Sequence, residues 1–176
     1  MRQLRQLVVL AAALCCPLRA LAQSPVADVF RKNAAFYQKN LVAAAETMGA
    51  DKYSFKPTPA QMSFGEIVVH LINANDLMCA SLGGVAAPAR PKVTATDAKS
   101  VLVGQLRDSF TFCDRAIAKM DDSRMSEQLP FFEGSKASRA SIMMDSATDW
   151  ADHYSQFAIY LRLSGLLPPT ATTKEH

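Results

Sequence analysis

The sequence predicts an all-α fold: a single four-helix bundle preceded by a cleavable signal peptide. Three observations carry this. Four segments repeat their apolar residues every three or four positions, the period of a helix with one face turned to a core. No segment shows the strict two-residue alternation of a half-buried strand. The first 22 residues differ in composition from the rest, with Arg2, Arg5 and Arg19, no acidic residue, and an unbroken apolar run over residues 7–16.

The leader is read first. Its basic start, short apolar run and Ala20-Leu21-Ala22 sequence fit a secretory signal cleaved after Ala22. Ten apolar residues are too few to cross a bilayer, which takes about 20, so no stable membrane anchor is expected. Leu14 stands where a lipoprotein signal would place a small residue before Cys15. The mature chain is expected to start at Gln23 and to be periplasmic or secreted. The whole sequence has a formal charge of +3, but without the three leader arginines its basic and acidic side chains number 16 each. A neutral domain lacks the electrostatic footprint for nucleic acid. The expected partner is a small-molecule ligand or substrate of unknown identity, and a homodimer is compatible with the composition. The mature length is enough for one core without staples.

The helices follow in order. Ser24 and Pro25 open the first as N-cap and first helical residue. Val26, Val29, Phe30, Tyr37, Leu41, Ala44 and Met48 form its apolar stripe, and Gly49 ends it. Ser63-Phe64-Gly65-Glu66 is a capping box that opens the second helix. This helix continues through His70 to about Ser81, before Gly83 and Gly84. The third begins near Thr96 and Asp97 and places Val101, Leu102, Leu106, Phe110, Cys113, Ile117 and Met120 at helical spacing. The fourth begins near Ser138 or Ser141 and ends at Gly165, with Pro168 and Pro169 as a stop. Residues 50–62, 82–95 and 121–136 are the connections. Leu129 to Phe132 is the one stretch that could be extended. No second domain or repeat is present: the bundle is expected over residues 23–169 and a flexible tail over 170–176.

The chain has no Gly-rich phosphate loop, no GxSxG elbow, no CxxC pair and no HExxH. One constellation carries chemistry. His70 is mid-way along the second helix, and His153 mid-way along the fourth. Asp149 precedes His153 by four residues, which places the two one turn apart on one face. Two ligands on one helix and a third on a facing helix is how bundles build metal sites. An Asp–His pair at this spacing is equally compatible with a plain surface interaction. Asp152 is a rival carboxylate, but it points about 100° away from His153. Gln156 and Tyr160 continue the stripe, and Asn73 lies one turn from His70, as candidates to support the ligands or contact substrate. Trp150, Tyr154, Phe157 and Leu161 read as core.

Two stretches resemble the DinB-like superfamily. One is Tyr53-Ser54-Phe55-Lys56-Pro57-Thr58-Pro59 followed by Ser63-Phe64-Gly65-Glu66-Ile67-Val68-Val69-His70-Leu71. The other is Asp149-Trp150-Ala151-Asp152-His153-Tyr154-Ser155-Gln156 running into Tyr160-Leu161-Arg162. The resemblance covers the mature chain in helix order. It implies a four-helix bundle that commonly holds a divalent metal through three histidines. Carried over, His70 matches the first ligand and His153 the last, while Asp149 stands where many members have His. Two histidines and one carboxylate leave open positions and suit Zn, Ni, Fe or Mn. The resemblance implies a thiol-dependent transferase or isomerase, while export fits a metal-dependent hydrolase better, since low-molecular-weight thiols are mainly cytoplasmic. The alternatives are a non-catalytic metal- or ligand-binding bundle and a degenerate site.

Cys79 and Cys113 are the two cysteines outside the leader. Each lies about 24 Å from the start of its helix at 1.5 Å per residue. Antiparallel helices would hold them at opposite ends, whereas parallel helices would bring them level. The fourteen residues of 82–95 reach up to about 46 Å when extended, enough for a crossover. The bridge and a parallel second and third helix therefore stand or fall together, and export favours the bridge. Nine residues from His70, Cys79 is half a turn out of phase and faces away from the metal ligands.

Overall fold

The computed structural model of the chain describes residues 24–172, so the expected leader and its cleavage point lie outside the described residues. Four long helices make the bundle: α1 (Pro25–Thr47), α2 (Phe64–Gly83), α3 (Lys99–Ile117) and α4 (Arg139–Leu163). None of the described helices is long and apolar enough to cross a membrane.

Side-chain pairs give the helix directions. On α2 and α3, Asn75 meets Ser109 and Cys79 meets Cys113, so the two helices run parallel. On α2 and α4, Phe64 stacks on Phe157, His70 meets Asp149, and Met78 meets Ser146, so these two are antiparallel. Phe30 against Trp150 and Tyr37 against Tyr154 make α1 parallel to α4. The order is up, down, down, up. The segment between α2 and α3 is the long crossover.

Local chemistry explains the helix ends. At α2 the capping box is complete: the Ser63 amide donates to Glu66 Oε2 at 2.5 Å, and the Glu66 amide donates to Ser63 Oγ at 3.2 Å. Gly84 ends the helix at φ 62°, a conformation open to glycine. At α1 the expected Ser24 is the N-cap residue, but its hydroxyl does not cap. The Asp122 carboxylate instead accepts from the Val26 and Ala27 amides at 3.0 and 2.8 Å. A negative charge there also suits the helix dipole. Helix α3 starts later than the Thr96–Asp97 expectation because the Asp97 carboxylate is engaged by the Thr94 amide. At α4, Ser138 is the N-cap, accepting from the Ser141 amide.

Three expectations are corrected. Val26, Val29 and Val101 are exposed, and Ala27 and Ala34 face the core of α1 instead. A small sheet is present: β1 (Gln128–Pro130) and β2 (Lys136–Ser138) pair antiparallel, Leu129 opposite Ala137. Three residues per strand are too short for alternation to register. Finally, α5 (Pro169–Thr172) adds one helical turn where a tail is expected from Thr170. The Tyr154 hydroxyl holds it by donating to Thr170 Oγ1 and accepting from the Thr170 amide.

The core fills the space between the helices with Phe30, Leu41, Phe64, Leu71, Leu106, Phe110, Trp150 and Phe157, among others. Inside it, Trp150 Nε1 donates to Asn75 Oδ1 at 2.8 Å, and Asn75 Nδ2 donates to Ser109 Oγ at 3.0 Å. The Ser109 hydroxyl in turn donates to the Leu106 carbonyl. Every member is satisfied, so the network costs little and joins α2, α3 and α4. Between α2 and α3, glycine permits close approach: a Cβ on Gly83 would lie 2.7 Å from the Ala116 carbonyl oxygen. The Cys79–Cys113 disulfide joins the same pair of helices, with Cα atoms 5.0 Å apart.

Two outcomes follow. Replacing both Cys79 and Cys113 with Ala should lower unfolding free energy by about 4 kcal/mol on the chain-entropy model, given the separation of 34 residues; denaturant melts measure it. Trp150→Phe strands Asn75 Oδ1 and should cost about 1–3 kcal/mol beyond the loss of volume. Adding Asn75→Leu should recover part of that loss, since Ser109 keeps its bond to Leu106.

Candidate metal centre

Helix α2 turns His70 toward α4, and α4 answers with Asp149 and His153 one turn apart. Asp149 Oδ1 lies 3.1 Å from His70 Nε2 and 3.3 Å from His153 Nε2. One ligand atom from each of the three residues falls within a set spanning no more than 4.8 Å. Bonds of about 2.0–2.2 Å to one ion put neighbouring donors roughly 3.0–3.5 Å apart. The two measured separations fall in that range. Asp149 Oδ2 is buried without a hydrogen-bond partner, a cost that a coordinating ion would relieve. The residues present therefore fit a divalent ion. Among the described residues this is the one group of three metal-ligating side chains so placed.

The cluster grades from core to surface. The His153 side chain is 7% exposed, Asp149 21% and His70 43%. Its open side faces a cleft of about 360 Å³ whose wall includes Asn73, Leu77, Phe131 and Asp145. Three protein ligands with one open side would leave room on a bound ion for water or a further ligand.

The charges agree with the geometry. Burial alone would raise the Asp149 carboxyl, but hydrogen bonds from His153 and His70 outweigh it and bring its pKa down to about 2. The His70 imidazole is raised, chiefly by its hydrogen bond to Asp149, with burial opposing. Asp149 is thus ionised and ready to ligate, and a metal competes with the proton on His70.

The other expected site residues divide. Asn73 lines the cleft beside His70. Gln156 is engaged elsewhere, donating to Asp152 Oδ2 at 2.8 Å. Tyr160 is a core residue whose hydroxyl donates to the Met62 carbonyl at 2.7 Å and whose ring meets Phe55 and Phe64. It holds the α1–α2 connection. Cys79 is in the disulfide, away from the ligands. Sequence reasoning missed Leu77, Asp145, Phe131 and Phe132. Two of these carried a signal: Leu77 follows His70 by seven residues and Asp145 precedes Asp149 by four, each on its ligand's own stripe. Phe131 and Phe132 had none, because a separate connection delivers them.

The pH dependence has opposite signs with and without metal. In chelated protein the His70–Asp149 pair stabilises fully only between the ordinary carboxylate and imidazole values, 3.8 and 6.5. His70, raised when folded, loses its contribution as pH rises through its folded pKa; Asp149 loses its own as pH falls through about 2. Thermal melts of chelated protein should therefore show this contribution fading above pH 6.5, while the stabilisation by added zinc grows over the same interval. His70→Ala should remove both trends.

The comparisons agree with this architecture. A family model described as the DinB superfamily matches residues 36–156. The fold is similar to that of a DinB-like protein from Bacillus subtilis, with a TM-score of 0.63 at 17% identity, covering 78% of this chain and 92% of that one. It is also similar to a DinB-like protein from Bacillus cereus ATCC 10987, with a TM-score of 0.66 at 16% identity, covering 81% and 95%. Among curated proteins none matches the chain. With more than half of its length matched by the family model, the chain belongs to the DinB superfamily.

Proposed function

We infer that this is an exported protein that binds one divalent metal through His70, Asp149 and His153 and uses it to hydrolyse a small molecule. The convergence of the three ligand atoms within 4.8 Å carries the reading. When bound, a divalent ion supplies a Lewis-acidic centre that polarises a carbonyl and acidifies water. The chain's own residues do the rest. Asp149 supplies negative charge, fixed by two imidazoles. His153, packed against the core, holds the buried side of the site. Asn73 and Asp145 supply polar contacts at the cleft. The Cys79–Cys113 bridge supports an oxidising compartment, where the low-molecular-weight thiols needed by a transferase are scarce. Hydrolysis is therefore preferred to thiol transfer.

Calorimetric titration of chelated mature protein with zinc, nickel, manganese and ferrous ions tests the binding. One site is expected, with a rise in melting temperature by mass action. His70→Ala and His153→Ala should abolish stoichiometric binding, and Asp149→Ala should weaken it at least tenfold. Asp152→Ala should leave it within twofold. A damaging Asp152 variant would overturn the carboxylate assignment. Metal-loaded protein that turns over neither esters nor amides would leave a non-catalytic binding bundle.

A further inference from the structure

Below His70, the side of α2 that carries Asn73 also exposes Leu77, an apolar residue where solvent favours a polar one. Leu77 is 39% exposed and Phe132, opposite it, 46%. Between them the cleft of about 360 Å³ that starts at His70 and Asp149 runs past Ala74, Leu77, Met78 and Phe131. Leu77 and Phe131 also line the next cavity, of about 400 Å³, which continues past Ala80, Val85 and Leu129. The two share walls and form one trough between α2 and the β1–β2 hairpin. From His70 to Ser81 it follows α2 for about 16 Å at 1.5 Å per residue. The hairpin is held at the far end by Ser81 Oγ, which donates to the Pro130 carbonyl at 2.5 Å.

The trough's charges are one-sided. Asp145 and Asp149 are its ionisable carboxylates, and no lysine or arginine lines either cavity. Of the cations at the hairpin, Arg139 is engaged by Glu127 and the Leu82 carbonyl, and Lys136, opposite Pro130, lines neither cavity. A phosphate or carboxylate along this wall would find no lysine or arginine, only a His70 imidazole already paired with Asp149, and would meet the Asp145 carboxylate. Contiguous exposed apolar surface of this kind marks a ligand groove. Its continuity with His70 and Asp149 says which end of the ligand sits where.

We propose that the ligand of this site is an uncharged or cationic small molecule with an extended alkyl or aryl arm, its reacting polar group at His70, Asp149 and His153 and its arm in the trough against Leu77, Phe131 and Phe132. The placement of the reacting group rests on the metal reading; the trough does not.

Two sets of probes separate these parts. On zinc-loaded mature protein, octanohydroxamate and acetohydroxamate share a chelating head and differ in arm length. Each buried methylene is worth up to about fourfold, and with one side open the long arm should bind at least thirtyfold tighter. In Leu77→Glu the ratio of the two affinities should fall below threefold. On chelated protein, octanamide should displace the fluorescent probe N-phenyl-1-naphthylamine, acetamide should not, and octanoate should compete at least fivefold less well than octanamide. Zinc binding without any arm-length gain overturns the proposal, as does octanamide behaving like acetamide. Octanoate binding as well as octanamide overturns its charge preference. Discrimination among the amides without zinc binding overturns the metal reading and leaves the trough standing.

Discussion

The hydrogen bond from Trp150 to Asn75 sets the register on which the site depends. Both groups lie in the core, where an indole N–H or a side-chain amide without a partner costs about 1–3 kcal/mol. One residue before Trp150 is Asp149, and five before Asn75 is His70. Sliding α4 along α2 by one turn would orphan the buried pair and also carry Asp149 away from His70. The apolar faces alone do not forbid such a slip, because Leu, Phe and Met tolerate repacking when volume is kept. A directional bond between two buried polar groups does forbid it. The network extends to Ser109 on α3, so one amide side chain orients three helices.

With α2 and α3 parallel, the chain must return the length of the bundle between them. The crossover does so, and its end packs against the start of α2: the Ala95 carbonyl oxygen would lie only 2.7 Å from a Cβ on Gly65. The α1–α2 connection closes over the same end, with the Gly65 amide donating to the Tyr53 carbonyl. At the opposite end, α3 finishes and α4 begins diagonally across the bundle, and the segment joining them folds into the hairpin. Arg139 roots this hairpin, as its guanidinium donates to Glu127 and to the Leu82 carbonyl at the end of α2. The hairpin thereby stands beside α2 and walls the cleft. A bundle with three plain short loops would present His70 and Asp149 on an open surface.

Electrostatically the centre works by sharing. One carboxylate oxygen serves two imidazoles, so neither histidine needs a separate carboxylate to hold it. The graded burial adds direction. His153 is fixed by the core, Asp149 is reached from both sides, and His70 stands at the edge of the cleft. A ligand entering from the trough meets the most exposed donor first and the most buried one last.

The four helices and the three candidate ligands were legible in the sequence because both are local patterns. Apolar spacing reports which face a helix buries, Ser63 and Glu66 report where α2 starts, and an interval of four places Asp149 and His153 on one face. The link between a disulfide and a parallel α2 and α3 was also legible, since distance along a helix is fixed by residue count. Other features depend on groups distant in sequence. Asp122 caps α1 from across the fold, Asn75 looks like any polar residue until Trp150 is beside it, and Tyr160 is drawn into the core by the Met62 carbonyl. Phe131 and Phe132 read as ordinary loop aromatics, and only the hairpin brings them to His70. Sequence alone thus determined the elements and which residues could ligate. Tertiary structure decided the register, the cap donors and the cleft, because each is a contact between groups whose separation no local period encodes.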